Sequence, residues 1–354
     1  MSKRLIKYLV IILVLNASCN NSREERVTKR AFYYWKSVFR IDSIEKKTLA
    51  DLRVRRLYVK FFDVVWNEGS SSSIPVAKIQ VDSSISYFLT DNANELIPTI
   101  FITNETLQNT HEQKIGELSE RIYKLYQGLG RNTGLARIRI SEVQIDCDWT
   151  ETTKNKYFEL LAHLNILFAA VDTELSATIR LYQCKYRDKA GIPPVRKGLL
   201  MCYNMGNLKD PGNDGNSIIE ASELKKYISD IDNYPLPLDI AFPLFEWKVL
   251  IRQNAFGGIL QNLPDSSLLD PLIARRDGNR FEILSDTVLF EYPLRKNDII
   301  RTEKSNYTDI LEVAKAISPK LKTSRFTISL FHLDSLILTK YKINELENIF
   351  NSLH

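Results

Sequence analysis

The stretch Glu142-Val143-Gln144-Ile145-Asp146-Cys147-Asp148-Trp149, read with the segment after it, decides the fold. Successive side chains of a strand point to opposite faces, so Val143, Ile145 and Cys147 share one face and Gln144, Asp146 and Asp148 the other. From Thr153 to Val171 the period changes, and Tyr157, Leu160, Leu161, Leu164 and Phe168 recur at the spacing of one helix face. A strand running into an amphipathic helix is half of a parallel βαβ unit. Strands of a parallel sheet are covered on both faces, so the apolar face meets helices and the acidic face looks into a second enclosed space, the interior of a barrel.

The same alternation extends in both directions. Strand-like runs occur at Ala31 to Trp35, Arg56 to Asp63, Pro98 to Thr103, Glu142 to Asp148, Ser176 to Tyr182, Leu199 to Asn204, Leu238 to Phe245 and Phe326 to Phe331. Helical patterns lie at Ser43 to Val54, Glu112 to Gly128, Thr153 to Val171, Ser222 to Asp230, Tyr307 to Ile317 and Asn344 to Leu353. Eight units predict an α/β chain closed into a (β/α)8 TIM-type barrel over residues 31–354; the alternative is an open doubly wound sheet. The excess length falls in excursions at 64–97 and 246–324, the second a long insertion before the last strand, where Arg280 to Tyr292 alternates as a hairpin does.

The 44% apolar content of the 354 residues suffices for one large core, and 16 Tyr, 16 Phe and 4 Trp exclude a disordered chain. The formal charge of +5 falls to +2 once Lys3, Arg4 and Lys7 of the first 18 residues are set aside, which removes the case for a nucleic-acid partner. Those residues read as an export signal: three cations, the short apolar run Tyr8 to Leu15, then Ala17 and Ser18 before Cys19. Residues 19–30 read as a tether. Cys147, Cys184 and Cys202 are odd in number and form no CxxC pair, so they are expected as small core residues. No phosphate-cradling glycine loop, metal-ligand cluster, dinucleotide fingerprint or serine elbow is present, and no cofactor or metal is expected.

Two carboxylates aligned inside a barrel repel and are desolvated, which raises at least one pKa, and they lie at the strand's C-terminal end, where barrel enzymes carry their chemistry. A buried pair neutralised by Lys60 or Arg180 is the purely structural alternative. Asp146-Cys147-Asp148-Trp149 on the fourth strand and Met201-Cys202-Tyr203-Asn204 on the sixth resemble the paired Asp-x-Asp-x-Glu and Met-x-Tyr-Asp signatures of family 18 chitinase-like glycoside hydrolases. Residues 31–349 as a whole resemble uncharacterised bacterial barrel lipoproteins. Leu15 to Cys19 resemble their lipobox, which implies a signal peptide over 1–18, lipidation at Cys19, and a cell-envelope, membrane-anchored protein. One departure stands out: aligning the two aspartates puts Thr150 at the catalytic glutamate, whereas a shift of two makes Asp148 the acid.

The resemblance implies a glycan or oligosaccharide partner and acid-assisted cleavage of a glycosidic bond, with Asp148 donating the proton, Asp146 orienting it and Tyr203 steadying charge. Asp63, Asp239 and Glu246 near strand ends are the possible second carboxylates. Trp66, Trp149 and Trp247 are candidate stacking platforms, and Arg180 and Asn204 candidate sugar contacts. The alternative is a catalytically inactive carbohydrate-binding or surface-scaffold lipoprotein.

Overall fold

The computed structural model describes residues 26–82, 93–133, 135, 140–212, 215–261 and 263–353. The expected signal segment and Cys19 lie outside them. Eight strands form the central sheet: β1 (Val27–Tyr34), β2 (Arg56–Asn67), β3 (Glu95–Ile102), β4 (Glu142–Asp146), β5 (Glu174–Arg180), β6 (Lys197–Met201), β7 (Leu238–Pro243) and β8 (Arg325–Phe331). Each pairs in parallel with its sequence neighbour, β8 pairs with β1, and the pairing Tyr33↔Tyr58 joins β1 to β2. The sheet is closed, which excludes the open doubly wound alternative. β1 begins at Val27, inside the stretch expected as a tether.

Helices pack outside, and the apolar stripe of Lys154–Ala169 buries Tyr157, Leu160, Leu161, Leu164 and Phe168 as its periodicity requires. Val143, Ile145 and Cys147 face this outer core; Cys147, Cys184 and Cys202 are free and buried. Gly198 admits no side chain, since a Cβ there would stand 2.7 Å from Ile179 Cγ1 and 3.1 Å from Leu238 Cδ2.

A separate cluster containing Ala31, Tyr33, Tyr58, Leu199, Met201 and Tyr203 fills the barrel interior. Hydrogen bonds across the interior fix which way the polar residues point: Tyr33 Oη donates to Gln144, and Tyr58 Oη donates to Asp239 at 3.4 Å. The N-terminal end of the barrel is closed by buried charge. Lys197 Nζ lies 3.0 Å from Glu142 and 2.7 Å from Asp239, Arg56 Nη1 lies 3.3 Å from Glu142, and Ser176 Oγ donates to Glu142 at 2.7 Å. A buried ion costs several kcal/mol of desolvation unless paired and hydrogen-bonded, and these are both.

In β2 the register against β3 shifts between Lys60 and Phe62, so Phe61 is an extra residue. Phe61 and Phe62 both face the outer core, and the bulge returns Asp63 to the interior beside Lys60. β2 continues into a hairpin arm with Ser72–Val76.

The second excursion is an antiparallel five-stranded sheet after β7, its strands ordered Ala255–Leu260, Glu246–Arg252, Ile299–Lys304, Arg280–Ile283 and Ala274–Asp277. It has its own apolar cluster around Leu250, Phe281, Ile283 and Ile300. The hairpin expected from Arg280 is partitioned otherwise: Arg280–Ile283 pairs with Ala274–Asp277 and Ile299–Lys304, while Thr287–Leu289 pairs with Tyr292–Leu294. Arg301 and Glu303, both fully buried, join this sheet to the loop after β6. Arg301 Nε donates to Glu303 at 2.7 Å and Arg301 Nη1 to the Asp210 carbonyl at 3.0 Å; Glu303 also accepts from Ser217 and, at 2.8 Å, from Trp247 Nε1. Among the described residues no helix is long and apolar enough to cross a membrane.

Candidate functional site

A groove of about 610 Å³ opens at the C-terminal ends of β4, β5 and β6, lined among others by Asp148, Thr150, Arg180, Tyr203, Asn204 and Tyr227. The alternation of β4 produces it. Gln144 and Asp146 point inward, and the chain leaves the ladder after Asp146, so Asp148 stands above the last strand pairing, at the groove wall.

Asp146 lies level with Phe101 of β3, itself level with Asp63 of β2, and accepts from Thr178 Oγ1 on β5 at 2.6 Å. Burial, and then the neighbouring Asp148 carboxylate, push its carboxyl up to about 7 against the opposing pull of Thr178 and Arg180. Asp148 is placed differently. Its carboxylate lies 3.0 Å from Arg180 Nη1, and the two side chains keep 46% and 36% of their surface. The expectation of one raised carboxyl is met at Asp146, while Asp148 forms the charge pair of the structural alternative.

Two positions beyond Asp148, Thr150 shares its hydroxyl with Thr152 at 2.9 Å and Thr153 at 3.3 Å. Tyr203 ends the run from β6, its hydroxyl held well above the usual phenol range by burial and then by Asp146, so it stays a neutral donor and acceptor. Asn204 takes left-handed backbone (φ 53°), which asparagine tolerates better than most residues.

The remaining expected residues scatter. Trp149 borders the groove, but its ring is buried, stacked on Tyr157 at 5.0 Å with Nε1 donating to the Ala190 carbonyl at 2.9 Å. Its parity is that of Cys147, outward, so it is an anchor and not a platform. Asp239 lies at the opposite end of the barrel, beside the first residue of β7, held by Lys197 and, at 2.6 Å, by Thr327 N, so the strand end it is near is not the groove's. Asp63 is inward and 3.0 Å from Lys60, and its field adds to the rise at Asp146. Glu246 pairs with Lys340 at 2.5 Å, away from the groove lining. Trp66 sits half-buried on the hairpin arm opposite Ser73 and does not line the groove.

Trp247 has its N–H committed to Glu303, yet its ring belongs to an aromatic floor of the barrel interior, missed in the sequence, that reaches the groove lining at Tyr203. The floor runs Trp35 to Phe331 (5.5 Å between ring centres), Phe331 to Tyr203 (5.6 Å), Tyr203 to Phe245 (5.9 Å) and Phe245 to Trp247 (5.2 Å). Trp35 was legible, since it continues the inward parity of Ala31 and Tyr33. Tyr182, 55% exposed and packed on Tyr186 at 4.7 Å, edges the groove from the short helix Leu181–Lys185, where the sequence pattern suggested continued strand.

The groove offers the rings of Tyr182 and Tyr227 beside a cation, an anion, a phenol and an amide, the composition of a site for a polyhydroxylated ligand. Neither a protein-family model nor a curated relative matches the sequence. Solved structures do match the fold. A chitinase from Chromobacterium violaceum superposes with a TM-score of 0.55 at 11% identity, over 92% of this chain and 98% of that one. The spore cortex-lytic enzyme SleL of Bacillus cereus gives 0.54 at 11% identity over 93% and 75%. A mutant GH18 chitinase from Cycas revoluta in complex with (GlcNAc)4 gives 0.54 at 12% identity over 92% and 100%. The chain has the barrel fold of chitinases.

Proposed function

We propose that this protein is a saccharide-binding barrel, held at a membrane surface through a lipid on Cys19, in which the hydrolytic chemistry associated with the fold is silent. One observation carries the reading: the Asp148–Arg180 ion pair stands at the groove wall, with Thr150 where a proton-donating glutamate would be. With its carboxylate held 3.0 Å from the Arg180 guanidinium, Asp148 is engaged in a charge pair and not in the donor role expected of it. It serves recognition instead. Arg180 donates in a planar fork, Asp148 accepts, Tyr203 and Asn204 do both, and the Tyr182 and Tyr227 rings in the lining supply flat apolar contact.

Hydrolysis is the second reading, and the raised carboxyl of Asp146 favours it, because a group near 7 is poised to give up a proton at neutral pH. Calorimetric titration with (GlcNAc)4, followed by mass spectrometry of the recovered sugar, separates the two. Binding by the wild type with the sugar returned intact, weakened at least about tenfold in Arg180→Ala and Tyr203→Ala, supports the binding protein. Cleavage by the wild type that disappears in Asp146→Asn, with affinity kept, would establish the hydrolase.

A further inference from the structure

The aromatic surface of the groove continues past its rim. Of the rings in the lining, Trp149 and Tyr203 are buried, which leaves the exposed Tyr182 and the half-buried Tyr227 to meet a ligand. Tyr182 stands on the helix Leu181–Lys185, directly after β5, and Tyr227 follows the helix Ala221–Lys225, after β6. The ring faces open to a ligand are thus gathered on one side of the barrel mouth, above β5 and β6.

Tyr186 extends that side outward. It lies four residues beyond Tyr182, and its N–H donates to the Tyr182 carbonyl at 2.9 Å, so one helical turn sets the two rings on the same face. Their centres are 4.7 Å apart, and Tyr186 is 38% exposed and stands outside the groove lining. Lys185 Nζ lies 5.0 Å from the centre of the Tyr186 ring and 5.4 Å from that of Tyr227, within cation–π range of both. The mounting is firm. Gln183, 2% exposed, accepts from Arg180 N at 2.8 Å and donates to the Trp149 carbonyl at 2.9 Å, which ties the helix to two residues of the groove. Leu181, Gln183 and Cys184 are its buried residues, so core packing does not account for the exposed rings of Tyr182 and Tyr186. An exposed apolar surface contiguous with a polar groove marks a path for a ligand, and tyrosine presents a flat apolar face with a polar edge.

We infer that a saccharide chain leaves the groove over this shelf, and that the Tyr182–Tyr186 pair, with the Lys185 ammonium beside it, is a second site for a sugar ring. The groove, at about 610 Å³, has the volume of a small-molecule site, so a longer chain must cross its rim. The ligand is therefore an oligosaccharide and not a single sugar, an inference that rests on the saccharide reading of the groove.

Calorimetric titration of the full mature chain with the disaccharide (GlcNAc)2 and with (GlcNAc)4 tests it, in the wild type, Tyr186→Ala and Tyr186→Phe. The wild type should bind (GlcNAc)4 about tenfold tighter than (GlcNAc)2. Tyr186→Ala should lose about three- to tenfold for (GlcNAc)4, the range of one aromatic contact, and match the wild type for (GlcNAc)2. Tyr186→Phe keeps the ring and should bind both sugars as the wild type does. Equal wild-type affinity for the two sugars, or (GlcNAc)4 binding untouched by Tyr186→Ala, would overturn the shelf and leave the groove reading standing. Tyr186→Ala weakening both sugars alike would also overturn it, since Tyr186 would then only position Tyr182. A wild type that binds neither sugar would remove the groove reading and the shelf with it.

Discussion

Replacing Asp146 by asparagine should stabilise the fold at alkaline pH and leave it unchanged at acid pH. The folded carboxyl stands at about 7 against an ordinary value of 3.8. Between those values the native state holds a proton that the unfolded chain has released, so stability falls as pH rises through that window. At about 1.36 kcal/mol per unit, the whole shift corresponds to an upper bound of about 4 kcal/mol. Asp146 is half-buried, and the solvent that reaches it screens the charge, so about 2 kcal/mol is expected.

Asparagine keeps the oxygen that accepts from Thr178 Oγ1 and removes only the charge. Urea denaturation at pH 4 and pH 8 measures the difference. Asp146→Asn should match the wild type near pH 4 and exceed it by about 2 kcal/mol at pH 8. A variant less stable than wild type at pH 8, or one shifted equally at both pH values, would refute the assignment of Asp146 as the strained carboxyl.

Other substitutions probe separate parts of the account. Trp149→Ala should cost about 3 to 5 kcal/mol of stability in a denaturant melt, as buried aromatic truncations do, while changing saccharide affinity of the folded protein less than twofold; a tenfold loss of affinity would make it a platform after all. Gly198→Ala forces a Cβ against Ile179 and Leu238 and should destabilise by about 1 to 3 kcal/mol, read from the same melts, with a neutral result refuting the close packing of β5, β6 and β7. Arg301→Met leaves Glu303 as a buried charge and should cost about 3 kcal/mol and open residues 206–217 to limited proteolysis, whereas Arg301→Met with Glu303→Met should recover much of the loss. Fatty-acid label incorporated into the wild type and absent from Cys19→Ala would establish the anchor; label retained in Cys19→Ala would remove it.

Much of the barrel was legible because its strands and helices differ in period. The helical face of Tyr157 to Phe168 and the inward face of Gln144 and Asp146 follow from spacing alone, and the structure places both where that spacing puts them. The site was legible only as far as parity carries. Asp146, Tyr203 and Arg180 converge because their strands are neighbours, but which acid is desolvated depends on where β4 leaves the ladder, and that end is set by pairing with β3 and β5.

Two positions were not placed by parity, for physical reasons. Trp149 was read by its nearness to the strand end and not by the outward face it shares with Cys147, and Asp63 points inward only because Phe61 is an extra residue that no local pattern announces. The depth of Asp239 and the charged closure of the barrel came from long-range pairing, with Arg56, Lys197 and Glu142 arriving from three strands. The inserted sheet was foreseen only as a hairpin alternation, without its strand order, since antiparallel partners such as Glu246–Arg252 and Ile299–Lys304, tens of residues apart, leave no spacing signal.

The most direct test of the central claim is a crystal structure of the mature chain soaked with (GlcNAc)4. An uncleaved tetrasaccharide lying in the groove, hydrogen-bonded to Arg180 and Asp148 with a ring against the floor that includes Tyr203, is the predicted result. A shortened sugar in that groove, or an intact one bound elsewhere with the groove empty, would contradict it.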